Sequence, residues 1–242
     1  MKLLNLGCGA RTSARPEVIN IDWSPYLWLK RNPVLRLLAR CVLKGVQRQR
    51  FEAIGRNILV HDLRRGLPFA DASVDAVYHS HVLEHIDRDR AESFLLEIKR
   101  VLRPEGIQRM VVPDFEKLCR DYLAHVSTAE TDPAEAGTHE RYIGAIIEQS
   151  VRRAAYSTRD LPPFRKRLEN LVLGDARGRG ETHQWMYDRL SLIAMLTRLG
   201  FRESQICRFD TSSIPNWNDY GLDRKADGGP DKKNSLYVEV RK

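Results

Sequence analysis

Short apolar segments that end at glycine or at polar residues recur through the first half of the chain. Residues 2–6, 18–21 and 57–60 have the length and composition of single strands. Residues 74–78 alternate between apolar and polar positions, and residues 107–112 form another short apolar segment. The pattern therefore predicts five strands before residue 113.

Apolar positions at helical spacing separate the fourth and fifth of these strands. They fall within residues 90–103, and Pro104 with Gly106 then ends the predicted helix. Strands that alternate with helices are typical of a parallel sheet with helices on both faces. The chain is therefore predicted to be an α/β protein with a Rossmann-like, doubly wound sheet.

The second half begins differently, because residues 115–187 show helical patterns without a clear strand. Residues 188–199 then predict an amphipathic helix, and residues 201–209 and 235–240 predict two more strands. We expect a single domain over residues 1–242, with residues 115–187 as a helical insertion between strands five and six that covers the ligand edge of the sheet. The helices predicted inside the insertion are 115–126, 139–155 and 164–173.

Composition excludes several classes of protein. The chain has 242 residues, of which 42% are apolar and 30% charged, enough for a full core. The sequence contains no apolar run of about 18 residues, so it predicts no transmembrane helix. Glycine interrupts the first ten residues too early for a signal peptide. The cysteines are scattered without a C-x-x-C pair, so we expect free thiols and a cytoplasmic location. They are Cys8, Cys41, Cys119 and Cys207.

The chain is basic, with a net charge of +8, which favours an anionic partner such as a phosphate group, a nucleic acid or an acidic membrane. A solvated basic surface fits the charge equally well. Residues 34–48 predict one amphipathic helix whose basic positions recur every four residues. This helix is either a lid whose apolar face packs on the core or a peripheral contact with an anionic membrane. Further basic residues lie at 152–153 and 165–167.

Candidate ligand-binding residues follow three successive strands. Gly7-Cys8-Gly9 comes directly after the first strand, and glycine lets the backbone turn tightly and approach a ligand. Asp22 follows the second strand, where a carboxylate can accept both ribose hydroxyls, and Asp62 follows the third, within reach of an adenine amino group. Because the carboxyl ends of parallel strands meet at one edge, the three features together predict a nucleotide-like ligand.

Six segments carry a family resemblance: NLGCG at 5–9, NID at 20–22, HDL at 61–63, LPFADASVD at 67–75, HVLEH at 81–85 and RVLRPEG at 100–106. Their order over residues 2–114 resembles class I S-adenosylmethionine-dependent methyltransferases, most closely those of the methyltransferase type 11 group. Ala10-Arg11 and Glu105 depart from the usual glycine-rich pattern. The resemblance implies a seven-stranded sheet of order 3-2-1-4-5-7-6, with strand seven antiparallel.

The resemblance also implies S-adenosylmethionine as the cofactor and assigns roles to residues of this chain. Gly7 and Gly9 would contact the methionine part, and Asn5, Cys8 and Ser80 would be further cofactor-binding residues. Asp22 would bind the ribose. The adenine would lie against Asp62 and Leu63, and the insertion 115–187 would then form the acceptor side.

The segment His81-Val82-Leu83-Glu84-His85 fits the H-x-x-E-H pattern of one class of zinc proteases. Such a site needs both histidines on one helix, and the strand at 74–78 places His81 in the turn before any helix. We therefore expect no metal, and we interpret the segment either as a capping and packing element or as a wall of the methyl-transfer site. His81 is the site candidate, whereas His85 is expected to pack under the cofactor loop.

Methyl transfer to a hydroxyl needs an acceptor placed in line with the methyl group and a base for its proton. His183, in the aromatic segment ETHQWMYD, is the preferred base, although this segment could simply pack the insertion onto the sheet. Asp114 is a further candidate at the pocket edge. The N-P-P-Y pattern of amino-methylating enzymes does not follow strand four, which disfavours methylation of base amino groups.

These features favour O-methylation of a small-molecule or saccharide-type acceptor that carries an anionic group such as a phosphate. Enzymes that resemble this chain are often associated with cell-surface polysaccharide or glycolipid synthesis, which the resemblance implies for the acceptor class. Charge alone suggests the alternative of a tRNA or rRNA methyltransferase, but no RNA-binding module is present in the sequence. A cofactor-binding partner subunit without catalysis is the third alternative.

Overall fold

A computed structural model describes residues 1–150 and 182–242, apart from positions 24, 44, 54 and 56. The predicted helix 164–173, the end of the predicted helix 139–155 and the basic positions at 152–153 and 165–167 lie outside the described residues.

Seven strands form one sheet in the order β3-β2-β1-β4-β5-β7-β6, with β7 antiparallel to both of its neighbours. The predicted Rossmann-like architecture and strand order are therefore confirmed. The strands are β1 Leu3–Leu6, β2 Val18–Asp22, β3 Ile58–Val60, β4 Val74–Ser80, β5 Leu102–Pro113, β6 Arg202–Cys207 and β7 Ser235–Arg241.

Strand β1 occupies the middle of the sheet, and all four of its residues are buried. A parallel strand covered on both faces is expected to be mainly apolar, and three of the four residues of β1 are leucine. The fourth, Asn5, is buried and its amide is hydrogen-bonded to Asn20. Its last residue, Leu6, pairs with Ile21 of β2 and with His79 of β4. This register brings the carboxyl ends of β1, β2 and β4 to one edge, where ligands bind in such sheets.

Helices cover both faces of the sheet. The third strand is preceded by three helices, α1 Pro25–Arg31, α2 Pro33–Val42 and α3 Gly45–Ala53. The other helices in the described ranges are α4 Arg88–Val101, α5 Phe115–Ala129, α6 Pro133–Ala136, α7 Glu140–Ser150 and α8 Arg189–Arg198, and short 3-10 helices span Leu63–Arg65, Leu83–His85 and Trp217–Tyr220.

The predicted helix over residues 34–48 is two helices, so that prediction is wrong. Helix α2 ends where Leu43 adopts an extended conformation, and Gly45 begins α3 with a φ of 53°, a left-handed value that favours glycine. Val34 and Leu37 of α2 are 66% exposed, so part of its apolar face does not pack on the core. None of the described residues of α1–α3 lines the cavity at the sheet edge, which does not support the lid interpretation.

The described part of the insertion is helical, in α5, α6 and α7. Its two ends lie side by side, because Asp114 and Tyr187 form a parallel bridge and Phe115 N donates a hydrogen bond to Tyr187 O. The chain therefore leaves the sheet after β5 and returns to the same place before α8.

A buried arginine joins the sheet to the loop before β7. Arg109 on β5 is fully buried; its Nε donates to Asp223 Oδ2 at 2.8 Å and its Nη1 to Glu239 Oε1 at 2.7 Å. Tyr78 Oη donates to the other oxygen of Asp223 at 2.6 Å. Two carboxylates thus compensate one buried guanidinium, as a buried charge requires. The network holds the segment around Asp223 on the sheet.

Two further predictions concern membranes and thiols. Among the described residues, no helix is both long and apolar enough to span a membrane. Cys8, Cys119 and Cys207 are free thiols, as predicted. The side chain of Cys41 lies outside the described part of the structure.

Candidate functional site

A cavity of about 730 Å³ opens at the carboxyl edge of the sheet, between the turn after β1, the end of β4 and the loop before β7. It brings together seven of the residues that the sequence singles out as site candidates. They are Asn5, Gly7, Cys8, Gly9, Ser80, His81 and His183. The lining does not include Asp22, Asp62, Leu63 or Asp114.

The glycine turn after β1 leaves no room for a side chain at Gly7. Gly7 has a φ of 61°, and a Cβ there would lie 2.5 Å from Val82 Cγ2. Gly9 has a φ of 51°, and its N–H donates to Asp22 Oδ2 at 2.5 Å. Glycine adopts such left-handed dihedral angles without strain, and at Gly7 it also avoids the overlap with Val82. The turn therefore exposes backbone where a ligand can contact it.

The amide of Asn5 holds this turn from within the sheet. Its Nδ2 donates to Asn20 Oδ1 and to Arg11 O, each at 2.9 Å. Asn20 Nδ2 in turn donates to Ser13 O at 2.9 Å. These bonds fix the loop that follows Gly9, so the side chain of Asn5 positions the loop, although the residue also borders the cavity.

Asp22 and Asp62 end β2 and follow β3, beside the cavity. Burial raises the pKa of Asp22, while the backbone N–H groups of Gly9 and Trp23 act in the opposite direction. The Arg64 guanidinium hydrogen-bonds both oxygens of Asp62 and lowers its pKa. Arg64 would have to turn aside before Asp62 could accept a hydrogen bond from an adenine amino group.

The H-x-x-E-H segment forms the wall opposite the glycine turn. His81 follows β4 with a φ of 54°, and its Nδ1 lies 3.1 Å from Glu84 Oε1. Its Nε2 is 3.0 Å from Ser235 Oγ on β7. Glu84 is fully buried; burial would raise its pKa, but the hydrogen bond from His81 and the charges of His81 and His85 hold it below the usual value.

His85 and His183 meet edge to face, with ring centroids 4.7 Å apart. His85 Nδ1 lies 3.1 Å from Thr182 O, and His183 Nδ1 lies 2.5 Å from Gln149 O. Burial is the main cause of the lowered pKa of His85, so its ring is neutral at neutral pH. Glu84, His85 and His183 each place one potential metal-binding atom within 4.8 Å of the other two.

The segment that contains His183 borders the cavity and also packs the returning chain onto the sheet, while the role of His183 as a base stays a prediction. His183 is 9% exposed and borders the cavity. The backbone N–H of Gln184 donates to Glu84 O at 2.6 Å, which packs the returning chain onto the H-x-x-E-H segment.

Asp114, the third catalytic candidate, caps the start of a helix. It is the N-cap of α5, and its Oδ1 accepts a hydrogen bond from Lys117 N at 3.1 Å. Because such caps satisfy an unpaired backbone donor, the residue has a sufficient structural reason to be an aspartate. Its catalytic role stays a prediction.

Sequence reasoning missed the charged residues that the loop before β7 adds to the cavity. These are Asp231, Lys232 and Lys233, and Arg11 after the glycine turn forms an ion pair with Asp231. Burial, followed by the charge of Arg11, lowers the pKa of Lys232. These residues belong to the segment DKKN at 231–234, and no local pattern in the sequence shows that the Arg109 network brings it to the sheet edge.

Comparison with known proteins gives one family match, in the first half of the chain. The model of the family described as a methyltransferase domain matches residues 4–110. No curated protein matches the sequence significantly.

Solved structures with a similar chain trace include several enzymes. A SAM-dependent methyltransferase from Archaeoglobus fulgidus is 15% identical, with a TM-score of 0.42 over 100% of this chain and 86% of that chain. One from Methanosarcina mazei is 16% identical, with a TM-score of 0.45 over 100% and 92%. The DhpI–SAM–HEP complex is 16% identical, with a TM-score of 0.47 over 100% and 78%. No residue role is transferred from them.

Proposed function

Since residues 4–110 match the family model of a methyltransferase domain and the motifs of this half resemble class I S-adenosylmethionine-dependent methyltransferases, we propose that the protein methylates a hydroxyl group of a small-molecule or saccharide-type acceptor. The observation that carries this proposal is the wall of three imidazoles, from His81, His85 and His183, that faces the glycine turn or lies directly behind it. Imidazole removes a hydroxyl proton near neutral pH.

The described residues fit the cofactor. The turn has no space for a side chain at Gly7, and both Gly7 and Gly9 border the cavity. Ser80 Oγ is buried at the end of β4 without a hydrogen-bond partner of normal geometry among the described residues. When bound, S-adenosylmethionine supplies an activated methyl group for an in-line displacement. The chain itself would bind the methionine part at the turn, the ribose at Asp22 and the adenine near Asp62 and Leu63.

The acceptor would enter between the H-x-x-E-H wall and the loop before β7. His183 Nδ1 faces the carbonyl of Gln149, which accepts its proton in a hydrogen bond and thereby leaves the lone pair on Nε2. We assign His183 as the preferred proton acceptor, with His81 beside it as an alternative.

Two lysines support an anionic acceptor. Lys232 and Lys233 line the cavity next to the ion pair of Arg11 and Asp231. A phosphate or carboxylate group on the acceptor would lie near these ammonium groups and be oriented by them. A sugar attached to a phosphate-containing carrier has both the hydroxyl and the charge. A cytoplasmic location and a peripheral contact with an anionic membrane stay predictions.

The experiment is a transfer assay with labelled S-adenosylmethionine against paired acceptors that differ only in a hydroxyl or an amino group. We expect label on the hydroxyl compounds, at a rate lowered at least 100-fold by His183→Ala, with cofactor binding unchanged. His139→Ala is the matched control, because His139 lies in the insertion and does not line the cavity. Transfer only to amines or RNA would reject the proposal. Cofactor binding without any transfer would favour the partner-subunit alternative.

A further inference from the structure

We propose that Glu84, His85 and His183 form a binding site for one divalent transition-metal ion at the inner wall of the cavity. On sequence grounds a metal site was excluded because His81 and His85 do not share a helical face. In the structure, too, His81 and His85 do not share a helical face. A different imidazole, that of His183 at the far end of the insertion, lies next to His85 instead.

The donor atoms are close to the spacing that a shared ion needs. One atom from each of the three side chains lies within 4.8 Å of the other two. An ion placed centrally among three atoms 4.8 Å apart lies about 2.8 Å from each of them, whereas such ligands bind at about 2.0–2.2 Å. A side-chain adjustment of less than about 1 Å therefore closes the site, with the backbone in place.

Both imidazoles are held as metal-binding histidines commonly are. His85 Nδ1 lies 3.1 Å from Thr182 O, and His183 Nδ1 lies 2.5 Å from Gln149 O. Because a carbonyl only accepts hydrogen bonds, each Nδ1 carries the proton and each Nε2 carries a lone pair. A carbonyl partner behind a ligating ring fixes its tautomer and orientation.

The third donor is a buried carboxylate with one oxygen left without a hydrogen bond. Glu84 is fully buried, and its Oε2 has no hydrogen-bond partner among the described residues. A buried carboxylate is costly unless it is paired, hydrogen-bonded or bound to a metal. His81 approaches the other oxygen at 3.1 Å and holds the carboxylate toward the two rings. We regard His81 as a positioning residue.

The donor set selects a class of metal ion. Two imidazole nitrogens and one carboxylate suit Mn²⁺, Fe²⁺ or Zn²⁺, whereas Mg²⁺ prefers oxygen ligands. Three protein ligands leave further positions open, as in catalytic metal sites. If the function proposed above holds, an acceptor hydroxyl would take one of these positions and the ion would lower its pKa. His183 would then be a ligand, and the hydroxyl proton would pass to His81, the alternative acceptor named above.

The test is metal binding by the full chain, without any transfer reaction. Protein stripped with EDTA is titrated with Mn²⁺ and followed by electron paramagnetic resonance, and Zn²⁺ is then added as a competitor. We expect one Mn²⁺ per chain, displaced by Zn²⁺, with affinity lowered at least 10-fold in Glu84→Gln and in His183→Gln. Circular dichroism checks that both variants fold.

The control is His139→Gln, which changes the second histidine cluster, formed by His125 and His139 with their Nδ1 atoms 2.9 Å apart. Its affinity and stoichiometry should equal those of the parent chain. Absence of bound Mn²⁺ and Zn²⁺, an unchanged affinity in folded Glu84→Gln, or loss of binding in His139→Gln would each overturn the proposal. Transfer to hydroxyls that persists in EDTA would reject the metal alone, whereas metal binding without hydroxyl methylation would reject only the proposed function.

Discussion

The imidazole rings of His85 and His183 meet edge to face at 4.7 Å, although one follows strand β4 and the other lies beyond the insertion. The contact joins the two halves of the chain at the cavity. It also brings His183, a third potential metal-binding side chain, next to Glu84 and His85 of the H-x-x-E-H segment. No spacing within that segment could indicate this residue.

The glycine turn is the first feature to test by substitution. Gly7→Ala places a methyl group 2.5 Å from Val82 Cγ2 at a φ of 61°. We expect a loss of about 1–3 kcal/mol in the free energy of unfolding, because the strained backbone and the overlap both oppose folding. Urea unfolding of the variant measures this loss, and calorimetry with S-adenosylmethionine should show weaker binding.

Gly144→Ala is the matched control for that substitution. Gly144 lies inside α7, and no atom lies within 4 Å of the added Cβ. Alanine should leave stability unchanged or raise it by about 0.5–1 kcal/mol, since it favours helix over glycine. Equal losses in the two variants would show that the geometry of Gly7 is not special.

The buried arginine of β5, Arg109, is the second feature to test by substitution. Arg109→Met leaves Asp223 and Glu239 buried without their counter-charge. Breaking such a group by removing one partner is expected to cost about 3–5 kcal/mol of unfolding free energy. Arg103→Met, which removes the exposed partner of Asp75, should cost at most about 1 kcal/mol. Similar losses in both variants by urea unfolding would contradict the role given to Arg109.

Acid stability reports on the buried histidine of β4. Burial lowers the pKa of His79 to about 4. In the unfolded chain His79 takes up a proton below about pH 6.5, whereas the folded chain does not until about pH 4. The free energy of unfolding should therefore fall as the pH decreases from about 6.5 to 4, by up to about 3 kcal/mol from this group.

His79→Asn removes this titrating group. Its free energy of unfolding should differ less between pH 7 and pH 4.5 than that of the parent chain, as measured by urea unfolding at both values. Superimposable pH profiles of the two proteins would show that His79 does not cause the acid sensitivity.

The lysines of the loop before β7 test the charge of the acceptor. Lys232→Ala should raise KM for an anionic acceptor several-fold with little change in kcat, and added salt should diminish the difference. Lys225→Ala, in the same loop but outside the cavity lining, is the control. An equal KM for charged and uncharged acceptors in the parent chain would remove the case for an anionic group.

The sheet could be predicted from the sequence because each of its signals is local. The apolar runs mark the strands themselves. Gly7, Gly9 and Asp22 lie at or just after the ends of those strands. The break between α2 and α3 could not, since the periodicity of the basic residues continues through Gly45. The pairing of His183 with His85, and of Arg109 with Asp223, depends on contacts between residues far apart in the chain.

Cofactor binding at the β1–β2 edge is the central claim, and calorimetry of S-adenosylmethionine with Asp22→Ala tests it most directly. We predict one molecule bound per parent chain and an affinity lowered about 10- to 100-fold in the variant, the loss expected for hydrogen bonds to a charged group. Asp219→Ala, an exposed acid paired with Arg15, should bind as the parent does. Absence of binding, or equal affinities in the parent chain and Asp22→Ala, would contradict the claim.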